Sequence, residues 1–368
     1  MGMRVAFALF LTIHALIHIV GFAKAFGLAS VSGRLAPISR AAGVIWISAT
    51  FLFLCATASI VLAPRAFWVV AILGTIVSQF AIAKSWKDAR FGTLPNVAVL
   101  LCAIYAAFAW GPFGLRAEYE SRTAARLVRL SPNQLLTERD LEPLPPQIQR
   151  YLRYVGVVGH PRVSAFRVHF RGRIRSGPDA PWMEFTGQQQ NFADSPARFF
   201  SMDATMHGLP VYGLHAYENE QARMQVKVLS LFSVVDAAGT DFTKTETVTL
   251  FNDMCIMAPA TLVDPNIGWR EVDAQHVVGT YTNGRFVIHA TLSFDETGAL
   301  VNFWSDDRPS LAADGTHFVA QRWSTPIGGF RSQGAFRLPS RGEGRYGEGA
   351  NEYAYIQFDD LDVSYAPM

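Results

Sequence analysis

The feature that most constrains the fold is a set of four long apolar runs near the start of the chain. They cover residues 5–23, 41–63, 66–83 and 94–113. A helix rises about 1.5 Å per residue, so about 20 apolar residues cross a hydrocarbon core of about 30 Å. Within lipid, every backbone N–H and C=O must be paired inside its own segment, which favours helices. We therefore expect residues 1–113 to form a four-helix transmembrane domain, in preference to four buried helices of a large soluble protein.

Basic residues beside the runs indicate an orientation, because short loops rich in Lys and Arg stay in the cytoplasm. The loops after the first and third runs carry Lys24, Arg34, Arg40, Lys84, Lys87 and Arg90. The opposite side carries Arg4, Arg65, Arg116, Arg122 and Arg126. The count is six against five. From this small excess we expect a multi-pass protein of the bacterial cytoplasmic membrane, with both termini and the C-terminal region outside the cytoplasm.

Two histidines inside the first run are the candidate metal ligands. His14 and His18 are four residues apart, so they share one face of a helix. Histidines at this spacing can bind one metal ion or a haem iron. The alternative is a pair of neutral imidazoles that hydrogen-bond to a neighbouring helix, for example through Ser78 or Gln79. The other runs contain no second cluster of His or Cys that would complete a metal site.

Charge and cysteine content exclude two further classes of interaction. The net charge is +2, which gives no strong field to recruit nucleic acid, so we expect no nucleic-acid partner. Of the three cysteines, only Cys255 lies beyond the apolar runs. No disulfide can therefore form within the soluble part of the chain.

Residues 114–145 are predicted to be a linker. Residues 115–130 have an amphipathic pattern, which predicts either a helix on the lipid headgroup layer or a continuation of the fourth span. Prolines 132, 143, 145 and 146 then interrupt regular structure. Pro146 suits the first turn of a short helix, which we place at residues 146–155.

Residues 146–368 are predicted to form a β-rich domain, because the apolar period changes to two from Ser164 onward. In the first strand, apolar residues alternate with five basic or potentially basic side chains. These are Arg167, His169, Arg171, Arg173 and Arg175. One interpretation is a solvated face of the sheet. The other is a surface that binds phosphate headgroups, since Arg binds phosphate through paired hydrogen bonds.

Further strand-like runs follow, mostly joined by short turns. They cover residues 183–192, 198–203, 211–218, 221–228, 270–273, 277–281, 285–294, 300–306, 318–323 and 353–365. Asn283-Gly284 is typical of a hairpin turn because both residue types accept positive φ. The pattern predicts an antiparallel barrel, half-barrel or sandwich, and so an α+β membrane protein.

One helix is predicted to interrupt these strands, at residues 241–254. A helix with an apolar face beside a curved sheet would line an apolar cavity, and Glu246, Asn252 and Asp253 would face that cavity. A carboxylate there would have a raised pKa and act as an acid or base. Glu246, Asp253 and Arg308 are the candidate catalytic residues. The alternative for such residues is to cap a helix, bond the backbone or contact water.

Two further motifs carry no functional prediction. Gly342–Gly347 fits the string G-x-G-x-x-G, but that fingerprint needs a strand before it and a helix after it, so we predict a loop. His207 and His215 lie eight residues apart, and a metal site there would need a third ligand that the sequence does not identify. We interpret both as surface or core histidines.

The C-terminal region carries an ordered set of short motifs. They are Leu144–Leu152, Trp182, Met206-His207-Gly208, Pro259–Leu262, Gly268-Trp269 and Ser305–Arg308. In this set the chain resembles DUF6544 (also called DUF6920), a bacterial family of unknown function. The resemblance covers most of residues 138–367 and rests on the order and spacing of the motifs. Because the family has no established activity, it implies no catalytic residues. One departure is Ile256-Met257-Ala258-Pro259, where the family tends to have Trp-Tyr-Pro, and this changes the pocket wall.

The resemblance also bears on fold and ligand contact. The half-barrel is similar to that of lipoprotein carriers of the LolA and LppX type, although a shared fold does not fix function. Trp182 and Trp269, which lie in the family motifs, join the basic row as candidate ligand-binding residues.

Three functional hypotheses follow. The first is a membrane-anchored binding module that holds a lipid or another apolar small molecule at the membrane surface. The second is a membrane-bound enzyme that acts on an amphiphilic or isoprenoid-like substrate, with a carboxylate or His as acid or base. The third is an assembly partner of another membrane protein. We expect no cofactor unless His14 and His18 bind a metal or haem.

Overall fold

The computed structural model describes residues 2–28, 37–128, 134–312 and 317–366. The chain divides into two compact units, Met1–Glu118 and Tyr119–Met368. Arg34 and Pro132, which entered the loop and linker predictions, lie outside the described residues.

The first unit is built from apolar helices. They are α1 Gly2–Ala25, α2 Arg40–Leu62, α3 Phe67–Lys84, α4 Trp86–Ala89 and α5 Thr93–Ala109, with a 3-10 turn Arg90–Gly92 between the last two. Four segments, the last running from Trp86 to Ala109, are long and apolar enough to cross a membrane. The fourth run ends as a helix at Ala109 and not at Phe113, because Gly111 and Pro112 cannot continue it regularly.

Small residues let the helices of the first unit approach one another closely. Ala49, Ala56 and Ala71 are fully buried, and a Cβ on Gly74 would lie 2.9 Å from the ring of Phe53. In lipid there is no hydrophobic drive between helices, so close van der Waals packing of this kind supplies their association. Large apolar side chains face outward from all these helices, which suits hydrocarbon as the surrounding solvent.

The second unit combines a few helices with a large sheet. Its helices are α6 Leu115–Leu127, which crosses the division between the units, α7 Glu138–Leu141, α8 Pro146–Val155 and α9 Thr240–Met257, together with 3-10 turns Pro259–Val263 and Gly349–Asn351. Pro146 occupies the first turn of α8, and the left-handed Gly156 (φ 85°) ends that helix.

The strands of the second unit are as follows. They are β1 Ala165–Ile174, β2 Met183–Phe192, β3 Ala197–Met206, β4 Leu209–Glu218, β5 Gln221–Val228, β6 Phe232–Ala238, β7 Ile267–Glu271, β8 His276–Asn283, β9 Phe286–Phe294, β10 Leu300–Ser305, β11 Ser310–Leu311, β12 Phe318–Val319, β13 Trp323–Ser324, β14 Ile327–Gly328, β15 Arg331–Gln333, β16 Phe336–Leu338, β17 Arg341–Tyr346 and β18 Tyr353–Tyr365.

Fourteen of these strands form one antiparallel sheet. Its order is β6-β5-β4-β3-β2-β1-β18-β17-β13-β10-β9-β8-β7, and β14 pairs with β17 beside this path. The edge strands are therefore β6 and β7, while β1 and β18 lie near the middle. In β1 the apolar side chains of Phe166, Val168 and Phe170 are buried, which matches the predicted alternation.

The sheet curls around α9 into a half-barrel. The helix contacts β5 and β6 near one end of the strand order and β9 and β10 near the other, so the sheet must bend to reach both. The two ends also meet at their hairpins, where Asn283 donates from Nδ2 to the Tyr217 hydroxyl at 2.8 Å. On the same side, the Arg285 N–H donates to the Glu220 carboxylate at 3.3 Å. The fold is thus an α+β half-barrel with a packed helix, after four apolar helices.

Helix α6 packs on the sheet from Tyr119 onward. Arg122 and Arg126 both bind Glu218 of β4, at 2.8 and 2.7 Å. Their guanidinium groups also lie over the rings of Phe199 and Phe192, at 4.9 and 5.6 Å. The part of the amphipathic segment within the second unit therefore covers a protein surface. Because α5 ends at Ala109 and α6 begins at Leu115, α6 does not continue the fourth span as one helix; a position on the headgroup layer stays a prediction.

The prediction for the glycine-rich string is wrong, and one long strand was missed. The glycine-rich string Gly342–Gly347 is not a loop, because its residues up to Tyr346 belong to β17, which pairs with β13, β14 and β18. A Cβ on Gly344 would lie 2.7 Å from Ile356 and 2.9 Å from Tyr355, so a glycine is needed where β17 meets β18. Strand β6 was also not predicted.

Candidate functional site

A cavity of about 650 Å³ runs along α9 inside the half-barrel. The helix side chains that line it are Phe242, Thr245, Glu246, Thr249, Asn252, Asp253, Ile256 and Met257. This spacing places them on one face of the helix. The other face, with Val248, Phe251 and Cys255, is fully buried against the second half of the sheet. Glu246, Asn252 and Asp253 thus lie on the cavity wall, where the sequence pattern placed them.

The sheet side of the cavity is mostly apolar and aromatic. It is lined by Phe170, Ile174, Phe200, Met202, Met224, Tyr353, Tyr355 and Phe358. Three lining residues, Ser176, Val234 and Asp236, are exposed. They mark the cavity mouth, between the β1–β2 turn and the edge strand β6. The volume lies within the range of about 300–1,000 Å³ that is typical of small-molecule sites.

A buried cluster of charged side chains forms one wall of the cavity, and Arg198 of β3 is its centre. Arg198 donates from Nε to Asp253 Oδ2 at 2.7 Å and from Nη1 to Glu246 Oε2 at 3.2 Å. Its Nη2 donates to Gln189 Oε1 at 3.1 Å. Asp253 Oδ2 also accepts from Gln189 Nε2 at 2.6 Å and from Asn191 Nδ2 at 3.2 Å. Every one of these side chains is buried.

Arg308 completes the buried cluster from the other side of Glu246. Its Nη2 lies 3.6 Å from Glu246 Oε1, and its Nε donates to the Thr249 hydroxyl at 2.9 Å. Its Nη1 donates to the Tyr346 hydroxyl. The guanidinium also lies 4.2 Å from the centre of the Trp323 ring. Two guanidinium groups therefore balance the carboxylates of Glu246 and Asp253.

The two carboxyl groups of the buried cluster differ in pKa. Burial alone would raise the pKa of Glu246, but the His215 ring and the charges of Arg198 and Arg308 outweigh it and lower that pKa to about 2. The expected rise in pKa therefore does not occur at Glu246. At Asp253 burial dominates over Arg198 and the amide donors, and the pKa is raised.

Three residues of this site were not identified from the sequence. Arg198, His215 and Tyr346 line the cavity, and the His215 Nδ1 lies 3.8 Å from Glu246 Oε2. The sequence signal for Arg198 is its strand position, since it shares a face with the cavity-lining Phe200. That signal was obscured because α6 covers the outer face, so β3 is buried on both sides.

The basic row of β1 lies on the outer face of the sheet. Arg167, His169, Arg171 and Arg173 alternate there with the buried side chains of the strand. Neighbouring acids compensate part of the row: Arg171 pairs with Asp360 of β18 at 3.1 Å, and His169 lies opposite Asp362 in the β1–β18 register. The structure therefore does not bring this row together with the buried cluster, and phosphate binding by the whole row stays a prediction.

The two candidate tryptophans lie in different places. Trp182 lies beneath the guanidinium groups of Arg173 and Arg175, at 5.1 and 4.5 Å from its ring centre. Arg175 lines the cavity, so Trp182 belongs to the surroundings of the cavity mouth. Trp269 lies on the edge strand β7, 6.2 Å from the Phe251 ring, and lines a separate pocket of about 570 Å³.

His14 and His18 join a hydrogen-bond network between helices of the first unit. His18 Nε2 lies 2.7 Å from the Ser78 hydroxyl, and His14 Nε2 lies 2.9 Å from Asn96 Oδ1. Ser78 and Asn96 are themselves 3.0 Å apart, and Asn96 continues to Gln79 at 3.0 Å. This is the helix-bridging alternative: Ser78, which was named for it, contacts His18 directly, while Gln79 is linked to His14 only through Asn96, which the sequence analysis did not name. Among the described residues, no group of three or more His, Cys, Asp or Glu is placed to hold a metal.

The C-terminal part of the chain is similar to a known protein family. No curated protein matches the chain. A solved LolA superfamily protein from Nitrosomonas europaea is 9% identical, over 63% of this chain and 92% of that protein, with a TM-score of 0.29. At that TM-score the likeness carries no argument about function. The family of unknown function DUF6544 matches residues 134–358, which include the half-barrel up to the middle of β18 and every residue that lines the cavity except Leu361. The chain therefore belongs to the DUF6544 family.

Proposed function

We propose that the half-barrel binds a lipid or another largely apolar small molecule, and that the four apolar helices hold it at a membrane. The observation that carries the proposal is the cavity of about 650 Å³, which has an apolar and aromatic lining on the sheet side. Burial of apolar surface contributes about 25 cal/mol per Å², so such a lining favours a ligand with a hydrocarbon part.

The test is to purify the full chain in a mild detergent and to identify bound small molecules by native mass spectrometry. We expect an apolar molecule near one per chain. Met202→Trp, which fills the cavity from β3, should lower its occupancy about tenfold, the loss caused by about 1.4 kcal/mol. Val287→Trp, on an exposed site of β9 away from the cavity, is the matched control.

Two results would count against this proposal. One is a protein that carries no small molecule and takes up none when lipid is supplied. The other is equal occupancy in Met202→Trp and the wild type. Co-purification of a second membrane protein without any ligand would favour the assembly role instead.

An enzyme is the second candidate, because Glu246 lies 3.8 Å from the His215 ring on the cavity wall. A carboxylate beside an imidazole is a common acid–base arrangement. The pKa of about 2 keeps Glu246 ionised, so its role would be to orient His215 and not to donate a proton. The test is Glu246→Gln: a catalytic role predicts loss of turnover of the bound ligand with unchanged occupancy.

For location, we propose a multi-pass protein of the bacterial cytoplasmic membrane with the half-barrel outside the cytoplasm. The support is the set of four helices long enough to span and the small excess of basic residues in two loops. A C-terminal alkaline phosphatase fusion, which is active only outside the cytoplasm, should be active. If a reporter that is active only in the cytoplasm is active at the same position, the orientation is the opposite of the one proposed.

A further inference from the structure

Two arginines share one aromatic platform: Arg175 lines the cavity at its mouth, and Arg173 lies beside it on the outer face of the sheet. The guanidinium carbons of Arg173 and Arg175 lie 5.1 and 4.5 Å from the centre of the Trp182 ring. Arg175 also donates from Nε to the Ala354 carbonyl at 2.8 Å and from Nη1 to the Pro178 carbonyl. These contacts with a ring and with neutral carbonyls orient the guanidinium groups but leave their positive charge in place.

Neither of these two arginines has an acid partner within the described part of the chain. Arg173 donates from Nε to the neutral amide of Gln357, and Glu184, which faces it in the β1–β2 register, forms no ion pair with it. Arg171, two residues earlier on β1, differs because it pairs with Asp360 at 3.1 Å. An acid therefore compensates Arg171, whereas no acid compensates Arg173 and Arg175 within the described residues.

The interior of the cavity has the opposite character. In the buried cluster, Arg198 and Arg308 balance Glu246 and Asp253. Among the described residues, no buried side-chain nitrogen or oxygen of this cluster lacks a hydrogen-bond partner. A charged group brought against this cluster would meet no opposite net charge, and its desolvation would be unfavourable. The apolar part of a ligand suits this space better than its head.

We propose that the cavity binds an amphiphile whose head is anionic, a phosphate or a carboxylate, with the tail inside and the head on Arg173 and Arg175. This inference rests on the proposed function. The tail gains from apolar burial, while the head gains charge-assisted hydrogen bonds from two guanidinium groups. Trp182 supports both groups and so acts as a positioning residue for the head.

The test compares two amphiphiles with the same oleoyl chain, lysophosphatidate and the uncharged monoolein. The full-length protein is freed of bound lipid in a non-ionic detergent, and binding is measured by titration calorimetry. We expect lysophosphatidate to bind at least about tenfold more tightly, as for hydrogen bonds to a charged group. In the double variant Arg173→Gln with Arg175→Gln, this preference should vanish while monoolein binds as before.

The control is Arg171→Gln, which removes a neighbouring charge of the same strand that already has an acid partner and should leave both affinities unchanged. Inorganic phosphate in large excess distinguishes a lipid head from a free anion: it should not displace lysophosphatidate. Displacement would overturn the inference in favour of a free-phosphate site. Equal binding of both amphiphiles by the wild type would also overturn it, while leaving the proposed function intact. If neither amphiphile binds, both fail together.

Discussion

Arg198→Met should destabilise the second unit strongly, because it removes the guanidinium partner of two buried carboxyl groups. Arg198 is the donor to both Glu246 and Asp253, at 3.2 and 2.7 Å, and all three side chains are at least nine-tenths buried. Methionine has a similar length and keeps most of the packing. The substitution therefore tests the charge and its hydrogen bonds in preference to the volume of the side chain.

The magnitude follows from two limits. Removing one partner of a buried ion pair costs about 3–5 kcal/mol. The loss in free energy of unfolding is also limited, because a buried carboxyl group without its partner takes up a proton. For Asp253, whose ordinary pKa is 3.8, protonation at pH 7 costs about 4 kcal/mol at 1.36 kcal/mol per pH unit. We expect a loss of about 4 kcal/mol, which lowers Tm by roughly 8–16 °C for a unit of this size.

The pH dependence gives a second signature. The pKa of Glu246 in the folded protein is about 2, below its ordinary 4.5, so its contribution to stability is present above pH 4.5 and is lost as the pH falls toward 2. The raised pKa of Asp253 acts in the opposite direction and reduces the wild-type slope. Arg198→Met removes one charge that lowers both pKa values, so both carboxyl groups titrate higher than in the wild type and the deficit should shrink as the pH falls below about 4.

The assay is thermal unfolding of the full chain in detergent, followed by labelling of the Cys255 thiol, which is fully buried in α9 and so reports on the second unit. Peptide mass spectrometry separates it from the other two cysteines. Arg171→Met, which breaks an exposed pair with Asp360, is the control and should cost no more than about 1 kcal/mol. If Arg198→Met melts within about 2 °C of the wild type at pH 7, the electrostatic account of the cluster is wrong.

Two other substitutions test contacts elsewhere. Tyr151→Phe removes the bond from its hydroxyl to the Cys255 carbonyl at 2.8 Å and leaves that buried acceptor unpaired, so unfolding of the second unit should need about 1–2 kcal/mol less, measured by the same thiol assay. His18→Leu removes the 2.7 Å contact with Ser78 and should lower the stability of the first unit by about 1 kcal/mol in detergent melts. Metal analysis of the same samples should show no difference; metal bound by the wild type and absent from His18→Leu would revive the ligand hypothesis.

The local sequence pattern was sufficient to predict many of the helices and strands. The predicted bounds of β2, β5, β18 and α8 match the structure, because alternation or a proline in the first turn marks them. The predicted strand at 318–323 is broken into β12 and β13, and β17 was missed, since glycines that permit close packing look like a turn in isolation. The spatial order of the strands, with β1 beside β18, has no local signature.

The candidate site was predictable only in part. The helical spacing of Glu246 and Asp253 placed them on one wall of a cavity, and the structure has them there. Their partners Arg198 and Arg308 come from positions far apart in the chain, so their convergence depends on how the sheet curls. The pKa of Glu246 could not be anticipated, because its direction depends on those distant guanidinium groups.

The position of β18 in the sheet has a consequence for biosynthesis. This strand follows all the others in sequence, yet it pairs with β1 on one side and β17 on the other and so links the two halves of the half-barrel. During translation, strands β1–β6 leave the ribosome first. Until β18 has been made, the edge of β1 that pairs with β18 has no partner. An exposed strand of that kind invites pairing with other chains. Production of this protein should therefore depend on chaperones that shield nascent β-structure until the final strand arrives.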